Sequence, residues 1–199
     1  ITITDAPTAD AGADATICEN NSDITLAGAV TIATGGTWTG GNGTFTPDVN
    51  TLNAVFSPSF GEFSAGSVTL TLTTTGNGTC NAESDDVEIT FTDAPTANAG
   101  ADQSVCANNP DVNLTGSVAN ATGGTWSGGF GTISPDANSL FTTYTPSAGE
   151  IAAGTVTLTL TTTGIGNCIA VTDQITITIT DAPTANAGAD DTFCANNSN

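Results

Sequence analysis

The chain repeats itself with a period of 88 residues. The segment DAPTA(D/N)AGAD begins at Asp5 and returns at Asp93 and Asp181, and residues 5–92 match residues 93–180 at 52 of 88 positions without a gap. Repeats of about 20–45 residues need their neighbours to bury an apolar face, whereas 88 residues can close a small core alone. The period therefore predicts a tandem array of small domains rather than one domain around a catalytic pocket.

The period also predicts the domain boundaries. Whole units span 5–92 and 93–180, residues 1–4 correspond to the last strand of a preceding repeat, and residues 181–199 to the start of a following one. No Gly/Ser-rich linker separates the units, and the proline in each DAPTA segment favours an extended path. We therefore expect the units to form a semi-rigid rod.

Alternating residues indicate strands in every unit. The sequence VTLTLT occurs at 68–73 and again at 156–161, and apolar residues also alternate with polar ones at 87–92 and 175–180. A period of two with β-branched residues is typical of half-buried strands, and no stretch shows a helical period. Six or seven short strands per unit, separated by Gly-rich turns, predict an all-β fold of tandem immunoglobulin-like antiparallel β-sandwich domains. Shorter candidate strands in the first unit lie at 24–26, 37–38, 44–46 and 54–56.

The chain carries charge of only one sign. It has 20 acidic residues and no Lys, Arg or His. Nucleic acid is an improbable partner because it requires a basic surface, and anionic membranes are disfavoured for the same reason. No apolar run is long enough for membrane insertion. General acid–base chemistry could use only carboxyl groups such as the recurring Glu62/Glu150 and Asp48/Asp136, which are more typical of turns and caps, so we predict that the protein is not an enzyme.

The five cysteines follow the same period. Cys18, Cys106 and Cys194 are 88 residues apart, and so are Cys80 and Cys168. We predict disulfides within each unit, Cys18–Cys80 and Cys106–Cys168, with the partner of Cys194 beyond the end of the sequence. A zinc site is the alternative, but the chain lacks both His and a Cys-x-x-Cys pair. Disulfides imply an oxidising compartment, so we expect an extracellular or cell-surface protein.

Calcium is the metal that the chain suits best, because hard cations take oxygen ligands and the sequence is rich in them. Each DAPTA segment places two aspartates at a unit boundary, and carboxylate oxygens suit this cation. We therefore consider a calcium site at Asp93, Asp102, Asp181 and Asp190, with ordinary solvated acids as the alternative. A denser acidic cluster near Asp85 is not repeated in full in the second unit.

Glycosylation is a second candidate modification. Six Asn-x-Ser/Thr sequons are close to the number expected by chance in a chain this rich in Ser and Thr, and the exposed Thr faces of the strands could carry O-glycans. We expect Trp38 and Trp126 to fill the cores of their units, and stacking against a sugar is the alternative. The sequons begin at Asn20, Asn42, Asn77, Asn113, Asn120 and Asn196.

Three phrases of the second unit carry a family resemblance. They are ANAGADQSVC at 97–106, GGTWSGG at 123–129, and YTPSAGEIAAGTVTLTL at 144–160. In this order they resemble the Ig-like and PKD-like tandem repeats of giant secreted surface proteins and gliding adhesins of Bacteroidota-type bacteria. The resemblance implies an extracellular repeat region and supplies no catalytic residues.

These observations favour a structural role. We predict a repeat of an extracellular bacterial filament, fibre or adhesin stalk that provides length and stiffness. The alternative is an adhesive module that binds glycans or calcium-bridged partners at the cell surface, although the uniformity of the two units favours a spacer. The fibre could form from one covalent tandem array or by self-association of short chains, and its ligand is unknown.

Overall fold

The computed structural model of the chain describes residues 3–192 and residue 194. Within them, the two whole repeat units have the same order of nine strands and one short helix. In the first unit these are β1 (Thr8–Asp10), β2 (Ala15–Cys18), β3 (Ile24–Thr25), β4 (Ala29–Thr31), β5 (Gly35–Thr39), β6 (Thr44–Thr46), β7 (Val55–Ser57), α1 (Phe60–Ala65), β8 (Ser67–Thr75) and β9 (Ser84–Thr92). In the second unit they are β10 (Thr96–Asn98), β11 (Gln103–Cys106), β12 (Val112–Thr115), β13 (Ser117–Ala119), β14 (Gly123–Ser127), β15 (Thr132–Ser134), β16 (Phe141–Thr145), α2 (Ala148–Ala153), β17 (Thr155–Thr163) and β18 (Thr172–Thr180).

Each unit is an immunoglobulin-like sandwich. In the first unit, one sheet has the order β2-β9-β8-β5, a second has the order β3-β7-β6, and β1 pairs with β4. The second unit repeats this with β11-β18-β17-β14, β12-β16-β15 and β10-β13. Strand pairs are antiparallel except that β2 runs parallel to β9, and β11 parallel to β18. The predicted all-β fold of tandem Ig-like β-sandwiches is confirmed.

The alternating segments form the central strands of the larger sheets. Val68, Leu70 and Leu72 of β8 are buried, and β17 repeats this burial pattern. The Thr residues between them fall mostly on the other face of the sheet, as a period of two requires. Trp38 and Trp126 are 1% and 2% exposed, so their predicted place in the cores is confirmed.

Each unit has its own core. The buried apolar residues of the first unit lie between Ala11 and Ile89, and those of the second between Ala99 and Ile179. The partial unit that begins at Asp181 has no strand or helix among its described residues, and neither Ile3 nor Thr4 belongs to a strand. The boundaries predicted from the repeat therefore remain a prediction.

The two helices were not expected from the sequence. Each has six residues, and no helix in the described part of the chain has the length and apolarity needed to cross a membrane. Their sequence signal is a capping box: the backbone N–H of Ser147 donates to Glu150 Oε2 at 2.7 Å, and Ser59 donates to Glu62 in the same way at 2.6 Å. Gly66, with φ of 82°, ends α1 in the left-handed region that favours glycine.

Candidate functional site

A disulfide joins the two units. It links Cys18, the last residue of β2, to Cys168 in the loop between β17 and β18, with a Cα–Cα distance of 5.0 Å and a sequence separation of 150. The predicted pairs Cys18–Cys80 and Cys106–Cys168 are therefore wrong. Cys80, Cys106 and Cys194 are free thiols in this structure.

The direction of β2 explains why Cys18 is bonded to Cys168 and not to Cys80. Because β2 runs parallel to β9, Cys18 lies beside Thr92, where the chain leaves the first unit. Cys80 precedes Ser84, the first residue of β9, and therefore lies towards the other end of that strand. Nine residues of strand span about 30 Å, far more than the 4.4–6.8 Å between the Cα atoms of a disulfide. The loop of the next unit is the one within reach.

Asparagine side chains interlock the units around the disulfide. Asn20 Nδ2 donates to the carbonyl of Ile169 at 2.8 Å, and Asn20 Oδ1 accepts from the N–H of Ile169 at 3.0 Å. Asn21 Nδ2 donates to the carbonyl of Asn167 at 3.0 Å, and Asn167 Nδ2 donates to the carbonyl of Thr16 at 2.9 Å. These four hydrogen bonds hold the β17–β18 loop of the second unit against the end of the first unit. We call this set of residues the junction.

The connecting peptide crosses the junction beside the sulfur atoms. The carbonyl oxygen of Asp93 lies 3.9 Å from both Cys18 Sγ and Cys168 Sγ. One residue further along, the carbonyl of Ala94 accepts a hydrogen bond from Asn120 Nδ2 at 3.0 Å. Cys18 is fully buried under this cover. A peptide path, a disulfide and a set of hydrogen bonds therefore connect the two sandwiches at the same place.

Many carboxylates of the chain accept hydrogen bonds from backbone N–H groups. The chain has no Lys, Arg or His, so backbone N–H groups and side-chain hydroxyl groups are the main donors available to its carboxylates. Asp85 Oδ2 accepts from the N–H of Ala11 at 2.8 Å, and Asp173 Oδ2 accepts from Ala99 at 2.7 Å. These two aspartates occupy the same repeat position, and each ties the entering segment of its unit to the last strand. The sequence hides this role, because Asp85 lies in an acidic cluster that the second unit repeats only in part.

The predicted calcium ligands do not form a cluster. Asp102 Oδ1 accepts from the N–H of Thr176 at 2.8 Å, which fastens the start of the second unit to β18. Asp181 and Asp190 are exposed, and Asp93 contacts the disulfide through its backbone carbonyl. Among residues 3–192 and 194, no group of three or more Asp, Glu or Cys side chains is placed to hold a metal ion. Calcium binding at these positions remains a prediction.

The recurring glutamates are buried caps. Burial raises the pKa of Glu150, but hydrogen bonds from Tyr144, Ser147 and Phe130 outweigh it and hold the pKa below its usual value. Glu150 Oε1 accepts from the hydroxyl of Tyr144 at 2.7 Å and from the N–H of Phe130 at 2.8 Å. Burial and this hydrogen bond raise the pKa of Tyr144 to about 12. Glu62 has the same role. Burial raises its pKa, but hydrogen bonds from Ser59, Asn42 and Gly43 outweigh burial and lower the pKa.

The recurring aspartates each accept a hydrogen bond from the backbone two residues further along the chain. Asp136 Oδ1 accepts from the N–H of Asn138 at 2.7 Å, and Asp48 Oδ1 accepts from Asn50 at the same distance. Each aspartate therefore closes its own turn. The arrangement of the glutamates and aspartates stabilises loops and helix ends.

The predicted sequons differ in their surroundings. Asn20 belongs to the junction, where both ends of its side-chain amide are hydrogen-bonded to Ile169. Asn42 is exposed, Asn77 is half-buried and donates to the carbonyl of Thr74, and Asn113 is exposed. The Asn196 sequon lies outside the described residues. Glycosylation at these asparagines or on the Thr faces remains a prediction.

Comparison with known proteins adds distant structural likenesses. No family model matches the chain, and no curated protein matches it. Domains EC1–4 of Drosophila N-cadherin share 16% identity at a TM-score of 0.44, and the match covers 90% of this chain and 50% of that one. Domains 1–4 of protocadherin gamma B7 share 12% identity at 0.40, with coverage of 89% and 51%. Domains EC22–24 of mouse cadherin-23 share 10% identity at 0.37, with coverage of 88% and 67%.

The chain spans about half the length of the N-cadherin and protocadherin fragments that it matches. At these identities and TM-scores the likeness carries no conclusion about ligands, partners or activity. The junction itself is therefore the basis for the functional proposal.

Proposed function

We propose that the chain is a structural repeat region of an extracellular bacterial filament or adhesin stalk, and that its units provide length and stiffness. The observation that carries this proposal is the cross-unit disulfide Cys18–Cys168. A disulfide within a domain would stabilise that domain alone, whereas one between domains restricts how they rotate relative to each other. This restriction suits a spacer that must hold its two ends apart.

The surroundings of the disulfide support the same function. Interfaces between the domains of one chain normally permit relative motion unless they are large and apolar. Here the contact includes a covalent bond and four hydrogen bonds, three of which use the backbone of the β17–β18 loop. We therefore propose a semi-rigid rod in which the junction, rather than a broad interface, limits bending.

The disulfide also supports the proposed location. Structural disulfides persist in oxidising compartments, which include the cell surface and the extracellular space. The absence of basic residues means that trypsin-like proteases have no cleavage site in the chain. Both properties suit a protein exposed outside the cell.

Adhesion is the second candidate, and one set of observations favours it. Phe130 and Phe141 are 92% and 71% exposed in the second unit, where the first unit has Asn42 and Asn53. Phe60 is 79% exposed in the first unit and corresponds to Ala148. Unit-specific exposed aromatic residues could contact a ligand, but single exposed apolar residues are common on ordinary surfaces.

Labelling of native fibres distinguishes the two functions. Antibodies raised against the purified chain are applied to intact cells of the source bacterium and located by electron microscopy. A stalk predicts labels at regular intervals along surface fibres, and intact mass under reducing, denaturing conditions well above that of one chain. Labels confined to fibre tips would favour the adhesive module, and labels absent from fibres would overturn the proposal.

A further inference from the structure

Cys80 occupies the same local setting as the bonded Cys168. The two cysteines are 88 residues apart in the sequence. The thiol of Cys80 lies 3.7 Å from the carbonyl oxygen of Asp5, just as the sulfur of Cys168 lies 3.9 Å from the carbonyl oxygen of Asp93. Asp5 and Asp93 are themselves equivalent. Cys80 is therefore placed at the entry of the first unit as Cys168 is placed at the entry of the second.

Cys106 lies at the exit of the second unit, as Cys18 lies at the exit of the first. It lies beside Thr180 at the end of β18, as Cys18 lies beside Thr92 at the end of β9. The following turn is also repeated, because Cys106 forms an isolated bridge with Asn109 and Cys18 forms one with Asn21. The difference is in exposure: Cys18 is fully buried under the loop of the next unit, and Cys106 is exposed.

The asparagines of the junction are repeated with the cysteine. Asn108 and Asn109 correspond to Asn20 and Asn21, and both are exposed in the second unit. Three of the four junction hydrogen bonds use backbone groups of the incoming loop, which any loop sequence supplies. The fourth needs the side chain of Asn167, and the first unit has Thr79 at that position. The two asparagines that hold the incoming loop are therefore present in both units, whereas the contact made by the Asn167 side chain is not available to the loop of the first unit.

We propose that Cys106 and Cys80 are halves of further junction disulfides of the Cys18–Cys168 type. The partner of Cys106 is the β17–β18 loop cysteine of an 88-residue unit following in the same array. The partner of Cys80 is the first cysteine of a unit preceding it. Every junction then carries one disulfide between consecutive units, and each unit contributes one cysteine to the junction before it and the other to the junction after it.

Bond formation requires an oxidant. Two thiols lose two electrons and two protons and form one S–S bond. A low-molecular-weight disulfide such as oxidised glutathione accepts them by thiol–disulfide exchange and leaves as two thiols. The first exchange forms a mixed disulfide on one cysteine, and the second thiolate displaces the remaining small thiol.

The test uses the whole chain extended by one unit. A second copy of residues 93–180 is inserted after Thr180. In the added copy only, Ile169→Val marks the loop peptide by mass and Cys106→Ser removes the equivalent cysteine, so every Cys106 peptide comes from the original unit. The protein is folded in a glutathione buffer, and its free thiols are blocked under denaturing conditions. It is then cleaved at acidic residues without reduction, and the linked peptides are identified by mass spectrometry.

We expect the Cys106 peptide to be linked to the marked loop peptide of the added unit, and Cys18 to stay linked to Cys168. In the original chain, which serves as the control, Cys106 should be blocked as a free thiol. A blocked Cys106 in the folded, extended chain, or a Cys106–Cys168 link, would overturn the inference. Folding of the extended chain is checked independently by the fluorescence of its buried tryptophans.

A matched variant separates a recognised junction from chance proximity of two thiols. Asn20 and Asn21 make three of the junction hydrogen bonds, so Asn108→Ala with Asn109→Ala in the original unit of the extended chain should shift the dithiol–disulfide equilibrium of Cys106 at least about tenfold towards the thiols. An unchanged equilibrium would mean that the asparagines do not form a junction there. The inference rests on the proposed array function, but the tests fail separately: labelled fibres with a free Cys106 would refute the disulfide and leave the stalk function intact.

Discussion

Removal of the Cys18–Cys168 bond should destabilise the first unit although one of the two cysteines belongs to the second. The variant Cys18→Ala/Cys168→Ala removes one cysteine from each unit, and its control Cys80→Ala/Cys106→Ala removes one free thiol from each unit. The disulfide closes a loop of 150 residues when both units unfold. In the loop-entropy model this corresponds to about 5 kcal/mol of unfolding free energy at 25 °C.

The expected magnitude is slightly smaller when only the first unit unfolds. The second unit then holds Cys168 in place, and the disordered segment runs from Cys18 to Asp93, which are 75 residues apart. The same model gives about 4.5 kcal/mol for a loop of this length. With a urea dependence of about 1–2 kcal/mol/M for so small a domain, the unfolding midpoint should fall by about 2–4.5 M.

Urea unfolding under non-reducing conditions measures this effect. All variants carry Trp126→Phe, so that fluorescence reports Trp38 in the core of the first unit. The variant without the cross-unit bond should unfold at much lower urea, while the control variant should match the parent. A control variant that loses as much stability as the first would indicate bonds at Cys80 or Cys106 in the isolated chain and would refute the reasoning.

Three further predictions concern the carboxylates. Tyr144→Phe copies the Phe of the first unit and removes the hydroxyl that accepts a hydrogen bond from the N–H of Gly131 and donates one to Glu150. The free energy of unfolding of the second unit should therefore fall by about 1–3 kcal/mol. Urea titrations followed by Trp126 fluorescence measure this, and an unchanged midpoint would contradict it. The pKa of Glu150 is lowered by folding, so its contribution to stability is full above the ordinary value of 4.5 and is lost as the pH falls through the lowered value. Glu150→Gln should therefore flatten the dependence of the urea midpoint on pH below 4.5, and parallel curves for parent and variant would exclude this role. Asp173→Ala should accelerate amide hydrogen exchange at Ala99, whose N–H donates to Asp173 at 2.7 Å, and equal rates in parent and variant would argue against the anchoring role.

The strands could be predicted because their signal is local. Alternation at 68–73 and 87–92 requires one buried face, and both segments lie in the long strands β8 and β9. The helices were missed because six residues are too few to show an apolar period. Ser59 and Glu62, three residues apart and followed by Gly66, carried the signal of a cap instead.

The cysteine pairing could not be predicted because it depends on which end of a strand each loop occupies. The period identifies Cys18 and Cys106 as equivalent, but it does not say whether the partner lies in the same unit or the next. That choice follows from the parallel pairing of β2 with β9, which places Cys18 at the exit of its unit. Parallel pairing of a short edge strand leaves no distinct pattern in the sequence.

The roles of the carboxylates were predictable only in part. The chain has no Lys, Arg or His, so its carboxylates cannot pair with a basic side chain, and many of them accept hydrogen bonds from backbone N–H groups instead. The two aspartates that anchor the entering segments, Asp85 and Asp173, are periodic and could have been identified by comparing the units position by position. The donors that they contact, Ala11 and Ala99, could not, because a backbone N–H carries no sequence signal.

The Cys18–Cys168 bond also determines which residues bear load when the chain is pulled from its ends. Tension that enters before Cys18 passes through the sulfur atoms to Cys168 and leaves along β18. The backbone between the two cysteines, which are 150 positions apart in the sequence, forms a slack branch in parallel. Most of each sandwich, including Trp38 and Trp126, lies on that branch. A pull that would unravel an ordinary string of sandwiches one by one would here be borne first by a covalent bond, and the pair of units would act as an inextensible link.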